Sequence, residues 1–525
     1  MGGLSMTVEM KSRRQLLRQA AWVAGLALLP STGGVIAASR IRENPFTLGV
    51  ASGEPTPDGM VLWTRLAPRP LDPDGGMGPS SVVVRWEIAL DPGFRRMVRS
   101  GRVLATPEAG HSVHVELMGL RSDQDYWYRF MVHGGTSPVG RTRTAPRRDS
   151  RPERLRLCFA SCQKYESGLY GAYRHMVEDQ PDLVLFLGDY IYEGKPGSAN
   201  ALRLHLNPEP MDVAGYRVRY ATYKSDPMLQ AAHAVAPWAV IWDDHEVSND
   251  YGGARDQDGG DPVAFLRRRA AAYQAYYEHM PLRRRAIPVG PDMLLYRSLN
   301  WGRLAQIQLV DDRQYRSEPV CRPPKAGRGK LISDCDDRRD PGRSLLGQSQ
   351  EAWLLGTLVD SPAQWNLLAQ QTLFAKAALP SLASPTAESF SSDGWDGAPA
   401  TRDRIVKRWA EAKVSNPITL GGDIHMFAAA DIMSSADARP IATEFVGGSI
   451  TSFGLSDLET KIFKSRNPHL QFFEGRQRGY GLMDISGKTA KVAFRAIADA
   501  KDANSPVSDL ATYVVETGRA GVVAG

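Results

Sequence analysis

The chain has 525 residues, of which 42% are hydrophobic and 23% charged, with a formal net charge of +6 at pH 7. That length and apolar content exclude general disorder and leave room for two or more domains. The modest charge, with no long Lys/Arg run interleaved with aromatics, argues against a dedicated nucleic-acid groove, although a mild positive field would favour the approach of anionic substrates.

Part of the positive charge lies at the start, where Lys11, Arg13, Arg14 and Arg18 face a single acid, Glu9. Ser12-Arg13-Arg14-Gln15-Leu16-Leu17-Arg18 precedes an apolar stretch from Ala20 to Leu29 and small residues around Ile36-Ala37-Ala38. This reads as a twin-arginine export signal over residues 1–38, implying the twin-arginine export machinery as a partner and a periplasmic or secreted location. The apolar stretch is too short for the ~30 Å hydrocarbon core and ends at Pro30, so no stable membrane anchor is expected.

From about Pro45 to Pro146 the sequence alternates like strands, as in Met60-Val61-Leu62-Trp63-Thr64-Arg65 and Tyr126-Trp127-Tyr128-Arg129-Phe130, between Gly/Pro/Asp turns. The pattern predicts an immunoglobulin- or fibronectin-like all-β domain over residues 41–148, with Leu120 to Tyr126 resembling a tyrosine corner. Arg147 to Pro152 forms a polar linker. From Leu155 strands alternate with helical segments, such as Ala172 to Gln180, Ala264 to Tyr277 and Gln350 to Val359, which predicts an α/β domain over residues 153–525. Gly-, Pro-, Asp- and Ser-rich insertions fall at 193–215, 251–262, 316–343 and 381–400. These either line an active site or decorate the surface.

Three motifs follow apolar runs that read as buried strands. Leu183 to Leu187 leads into Gly188-Asp189-Tyr190-Ile191-Tyr192, Ala239 to Trp242 into Asp243-Asp244-His245-Glu246, and Ile418 to Leu420 into Gly421-Gly422-Asp423-Ile424-His425. In open α/β layers, groups at the carboxyl ends of neighbouring strands meet in one crevice, and glycines let the backbone turn there. Each motif alone describes an ordinary turn or helix cap. Three together place several carboxylates where only a cation would relieve their repulsion, so they read as a dispersed metal site.

The four cysteines differ in setting. Cys321 and Cys335 bracket a loop rich in Pro, Gly, Lys, Arg and Asp, where a disulfide is expected in an oxidising compartment. Cys158 alternates as a small buried hydrophobe, whereas Cys162, just past the same strand, points toward the crevice of Asp189. A Cys158–Cys162 disulfide is the competing reading, with poor geometry along one strand.

These landmarks, with Phe46 to Pro55, Ala160-Ser161-Cys162-Gln163, Asp312-Arg313-Gln314-Tyr315-Arg316 and Gln350 to Leu354, resemble the PhoD family of alkaline phosphatases within the calcineurin-like metallophosphoesterases. The resemblance runs over most of the chain after the signal segment. It implies a metallophosphoesterase-type β-sandwich flanked by helices. Relative to the wider superfamily, Ser-Cys-Gln stands for Asp-x-His, Asp-Asp-His-Glu for Gly-Asn-His-Glu, and Gly-Asp-x-His for Gly-His-x-His, so nitrogen ligands have been lost. More oxygens suit calcium-like ions, while a thiolate and a tyrosinate suit ferric iron better than zinc. The family resemblance implies that mixture, one Fe(III) with Ca(II). Cys162, Asp189, Tyr192 and His425 are then expected around iron, with Asp189 bridging to calcium held by Asp423 and Asn249. Asp243, Asp244 and Asn249 remain alternatives for the calcium oxygen from their loop.

The expected chemistry is hydrolysis of phosphomonoesters, and of diesters as an extension, by metal-activated hydroxide attack. His245 is the candidate for stabilising or protonating the leaving-group side, or else a structural histidine bonded to Asp243 or Glu246. Arg313 either clamps phosphate bidentately or pairs with Asp311 or Asp312 beneath the site. Tyr190 is expected in the core, and Tyr192, two positions on, reaches the site only if the strand bends. A phospholipase D-type diesterase is the alternative, with Trp395 as the hint of an apolar mouth. A non-catalytic binding protein built on the sandwich domain is the second.

Overall fold

The apolar runs marked out by the sequence are strands buried on both faces: Leu183–Leu187, Pro237–Ile241 and Pro417–Gly421. The structure, a computed structural model, describes residues 43–197, 201–321, 331–380, 388–434 and 439–525. The expected export signal at 1–38 lies outside the described residues.

Two large sheets carry the fold. In the ten-stranded sheet Arg154–Ala160, Leu183–Leu187 and Pro237–Ile241 run parallel, with Arg478–Ser486 antiparallel on one side. In the seven-stranded sheet Ala305–Leu309, Trp365–Ala369, Pro417–Gly421 and Pro440–Gly447 are parallel neighbours. Aromatic rings bind the two sheets face to face: Phe494 of the first lies 5.2 Å from Phe427 and 5.7 Å from Phe472 of the second. The outer face of the first sheet packs on helices, with Trp238 stacked on Phe186 and against Tyr173 of the helix Gly171–Glu178. The outer face of the second shares a core with Gln348–Val359 and Pro399–Glu411. The expected α/β class with a helix-flanked sandwich is the observed one. The expected helices are present as Gly171–Glu178, Pro262–His279 and Gln348–Val359.

The first hundred described residues form a smaller sandwich. Val50–Thr56, Gly59–Arg65 and Ser112–Leu117 face a second sheet containing Val82–Ala89, Met97–Ala105 and Asp125–Val132, over a core of Leu62, Val84, Trp86, Val115, Tyr128 and Phe130. Tyr126 makes the corner read from the sequence, its Oη accepting from the Arg121 N–H at 2.9 Å. One sheet of this sandwich continues the large one, because Val50–Thr56 pairs in parallel with Pro237–Ile241. The Cys321–Cys335 disulfide is present, and Cys158 and Cys162 are free and buried.

Behind the Asp189 turn lies Lys224, 2% exposed, its ammonium 4.2 Å from the Trp63 ring and 5.5 Å from that of Tyr190. Burial lowers its pKa to about 7. The unfolded chain, with the ordinary lysine value, therefore binds more protons between about pH 7 and 10.5, and stability from this group rises with pH across that window. A Lys224→Met variant should exceed the wild type in unfolding free energy from urea titration at pH 7, by up to ~1.4 kcal/mol per unit of pKa displacement. The advantage should fade toward pH 10, and a constant difference across that range would contradict it.

Candidate metal centre

Parallel register brings the carboxyl ends of the central strands together, and the motifs turn into the crevice there through an unusual backbone. Cys162, Asp189, Asp423 and His425 all have positive φ, at 60°, 58°, 58° and 55°. Non-glycine residues rarely adopt this left-handed conformation, and such departures cluster at functional sites. Here they reverse the chain just past each strand. Two backbone bonds, Cys162 N to Gly188 O and Gln163 N to Asp189 O, both 3.1 Å, lock the first two turns together. Gly188 has φ +110°, and a Cβ there would lie 2.4 Å from the Cβ of Asp243. The strand-end bend on which Tyr192 depends is thus real, and it brings the phenol within 2.7 Å of Asp189 Oδ2, to which it donates.

Three groups of potential ligands result among the described residues, in each of which the ligand atoms lie within 4.8 Å of one another: Cys162, Asp189 and His425; Asp189, Asp244 and His245; and, deeper, Asp244, Asp250 and Asp393. Asp189 belongs to the first two. It is 1% exposed, and its Oδ1 has no hydrogen-bond partner. His425 donates from Nδ1 to the Phe453 carbonyl at 2.8 Å, which leaves Nε2 as the bare nitrogen, 3.0 Å from the Tyr192 oxygen. Ser452 donates to the same phenol at 2.7 Å. Burial, then the neighbouring Asp189 charge, pushes both the Cys162 thiol and the Tyr192 phenol well above their ordinary pKa. Thiolate and tyrosinate can form here only against a cation.

The Asp243 loop divides its labour. Asp244 accepts from the backbone N–H of His245 at 3.0 Å and of Asp250 at 2.6 Å, which aims it at Asp189. Asp243 instead accepts from Arg313 Nε. Asn249 holds Gln257 through its amide nitrogen at 2.9 Å and lines the adjoining cavity. Asp423 lies at the end of the opposite sheet and accepts from Thr372 at 2.8 Å. It belongs to none of the ligand groups found among the described residues, though its charge acts on Cys162 and Asp243.

The structural alternative for His245, a bond to Asp243 or Glu246, is not the one observed. Its Nδ1 lies 2.6 Å from Glu193, rather than on Asp243 or Glu246. Burial would lower its pKa, but Glu193, Asp244 and Asp189 outweigh that and raise it well above the ordinary value. Arg313 is not presented to the crevice. Its guanidinium is buried, forked onto Asp393 at 2.6 and 3.0 Å and onto Asp243, with Asp312 only 3.6 Å away. As placed, it has no free edge for a phosphate. Trp395 is wholly buried, its indole donating to Gln370 at 2.8 Å, so the hint of an apolar mouth is lost.

Sequence reasoning missed three acidic residues. Glu246 accepts from the backbone N–H groups of Asp189, Tyr190 and Asp243, at 3.2, 2.5 and 2.8 Å, and so ties two strand ends to one carboxylate. Burial pushes its pKa up to about 8. Glu193 joins His245 to the Asn249 N–H at 2.7 Å. Glu246 closes one motif and Glu193 directly follows another, so a spacing signal existed. Asp393 stands in a loop without periodicity and gave none.

An α/β sandwich with such a strand-end cluster is the framework of a phosphoester hydrolase, and known proteins agree. The PhoD-like phosphatase family model matches residues 157–494, and the model of the PhoD-like phosphatase N-terminal domain matches residues 32–146. Alkaline phosphatase D of Bacillus subtilis (strain 168) is 42% identical over 526 residues, covering 97% of this chain and 88% of that one. A solved structure of PhoD superposes with a TM-score of 0.86 at 41% identity, covering 93% of this chain and 95% of the other. The chain belongs to the PhoD-like phosphatase family and is a phosphoesterase.

Gly188→Ala should disrupt the site at its hinge, since the new Cβ meets Asp243 backbone and side chain in a conformation alanine resists. We expect ester hydrolysis to fall by about two orders of magnitude, as for small displacements of catalytic groups. Activity within a factor of about two of wild type would show that the turn tolerates rearrangement.

Proposed function

We propose that this protein is an exported, metal-dependent phosphoesterase that releases phosphate from small phosphate esters, with residues 1–38 as the twin-arginine signal, 41–148 as the N-terminal sandwich and 153–525 as the catalytic part. The observation that carries the reading is the buried Asp189 carboxylate, shared by two ligand groups and left with one unpartnered oxygen. No helix of the described residues is long and apolar enough to cross a membrane.

The donor set fits an Fe(III)–Ca(II) pair. Cys162, Asp189, Tyr192 and His425 would hold the ferric ion, combining a thiolate, a phenolate, a carboxylate and one imidazole. Asp189 and Asp244 would hold the calcium ion with oxygens, and Asp423 and Asn249 stand beside that set as further oxygen donors. When bound, the ions would supply Lewis-acid polarisation of the phosphoryl oxygens and neutralise charge in the transition state.

The chain's own residues supply the rest. His245, kept protonated by Glu193, Asp244 and Asp189, would donate a proton to the departing oxygen from a ring tilted against Tyr192, with centroids 4.2 Å apart. Glu193 holds that ring by its Nδ1, so Nε2 is the nitrogen left for the substrate. Arg313 is a positioning residue: it fixes Asp243 and Asp393 beneath the crevice and compensates part of their charge.

Purified protein should hydrolyse p-nitrophenyl phosphate and bis(p-nitrophenyl) phosphate with calcium present, and lose activity on chelation. Asp189→Asn should abolish both hydrolyses while leaving the folded far-UV spectrum. Hydrolysis unaffected by chelation and by that substitution would defeat the metal-dependent reading.

Tyrosinate and thiolate bound to Fe(III) should also colour the protein through charge transfer. Cys162→Ser should reduce the iron content far more than the unfolding midpoint. A colourless, iron-free preparation with full activity would refute this ligand set.

A further inference from the structure

On its open side the crevice leads into a cavity of about 640 Å³, large enough for a substantial part of a small ligand. Tyr192 and His245 form one wall of it, so whatever fills the cavity is the neighbour of the reacting ester. Carboxylates and cations share the lining, but their commitments differ. Glu166 accepts from the N–H groups of Gly197 at 2.8 Å and His205 at 3.1 Å. Glu193 is taken by His245 and Asn249, and Glu209 pairs with Arg268 at 2.9 Å. Asp256 accepts from the backbone of its own turn, leaving Asp258 on the far loop as the remaining acid.

Lys164 and Lys195 line the same cavity and have no ion-pair partner among the described residues. Lys164 follows Cys162 by two residues, and its backbone is pinned on both sides: its N–H donates to Ser452 at 3.3 Å and its carbonyl accepts from Thr451 at 2.8 Å. The ammonium stands 5.8 Å from the centre of the Tyr192 ring. A cation on a pinned backbone beside a phosphate-ester site, with a second lining the same cavity and neither in an ion pair among the described residues, is the arrangement that reads a further anion on the same molecule.

We propose that Lys164 and Lys195 form a subsite for a second phosphate group of the substrate, so that the enzyme prefers esters carrying two phosphates over matched esters carrying one. The inference rests on the phosphoesterase reading and adds to it the charge of the substrate's far end. The lysines take no part in bond breaking. They lower KM by holding the distal phosphate while the ester phosphate lies at the strand ends.

The test compares phosphate release from propanediol bisphosphate and from n-propyl phosphate by the metal-loaded protein. The bisphosphate should be favoured about tenfold or more in kcat/KM, the size expected of charge-assisted hydrogen bonds, and mainly through KM. High salt should shrink that ratio. In the Lys164→Gln/Lys195→Gln double variant the ratio should fall toward the factor of two given by having two ester groups, while Lys164→Arg should keep the preference. Hydrolysis of both esters at similar efficiency, or a preference unchanged in the double variant, would overturn the inference alone. Hydrolysis of neither would overturn the phosphoesterase reading and this inference with it.

Discussion

The constraint on which this structure depends is the gathering of carboxylates at the ends of parallel strands. Register aligns Leu187 with Ile241 in one sheet, Gly421 ends a strand of the facing sheet, and each is followed within two residues by an aspartate. Burial and mutual repulsion push Asp243 well above the ordinary carboxylate range, against the pull of Arg313. One guanidinium, forked onto Asp393 and reaching Asp243, compensates the lower layer. Among the described residues no arginine or lysine pairs with Asp189 in the upper layer. Asp189 has a phenol on one oxygen and nothing on the other, which makes it a group waiting for a cation rather than a satisfied core residue.

The same constraint explains the backbone. Four residues of the crevice hold left-handed conformations that disfavour each by about 1–3 kcal/mol in ordinary surroundings. Such conformations persist only where neighbours over-determine them. Glu246 does much of this by gathering three N–H groups from two turns, and the Cys162 and Gln163 amides bond across to the Asp189 turn. On the other sheet Gly422 lies so close to Ser161 that an added Cβ would sit 2.5 Å from its hydroxyl, so the Gly422 backbone packs directly on a side chain from the end of the facing sheet. Precision at the ligand atoms is therefore a property of the sheet ends, with the sheets' aromatic core as its foundation.

Much of this was legible in the sequence because it depends on local periodicity. Uniform apolar runs followed by Gly-Asp or Asp-Asp identify strand ends, and strand ends identify the crevice without any knowledge of its shape. The bend that carries Tyr192 to Asp189 was not legible, since positive φ at Asp189 is imposed by Glu246 and by pairing with the Cys162 turn, both contacts between distant segments. Arg313 shows the same limit. Its partner Asp393 lies 80 residues away in an aperiodic loop, and pairing with Asp311 or Asp312 was the reading that nearness in sequence suggested. The N-terminal strands were recognised as a sandwich, but their union with the central sheet through Val50–Thr56 required pairing with a strand almost two hundred residues on.

The two sides of the crevice are built for different purposes. On the inner side, Asp189 apart, the charged groups are tied to fixed partners: Arg313 to Asp243 and Asp393, Glu246 to three amides, Glu193 to His245 and the Asn249 amide. Removing one member there leaves its partners buried and unpaired, a penalty that falls on folding and on metal geometry together. On the outer side the cavity is lined by Lys164 past the first central strand, by Lys195 after Glu193 and by Asp258 after Asn249, and the two lysines have no ion-pair partner among the described residues. Groups there can change with little effect on the core, and what they alter is the far end of the ligand. The division follows from electrostatics in two dielectrics: a buried charge must be paired to exist, whereas a charge at the water boundary can stay unpaired and act on whatever enters.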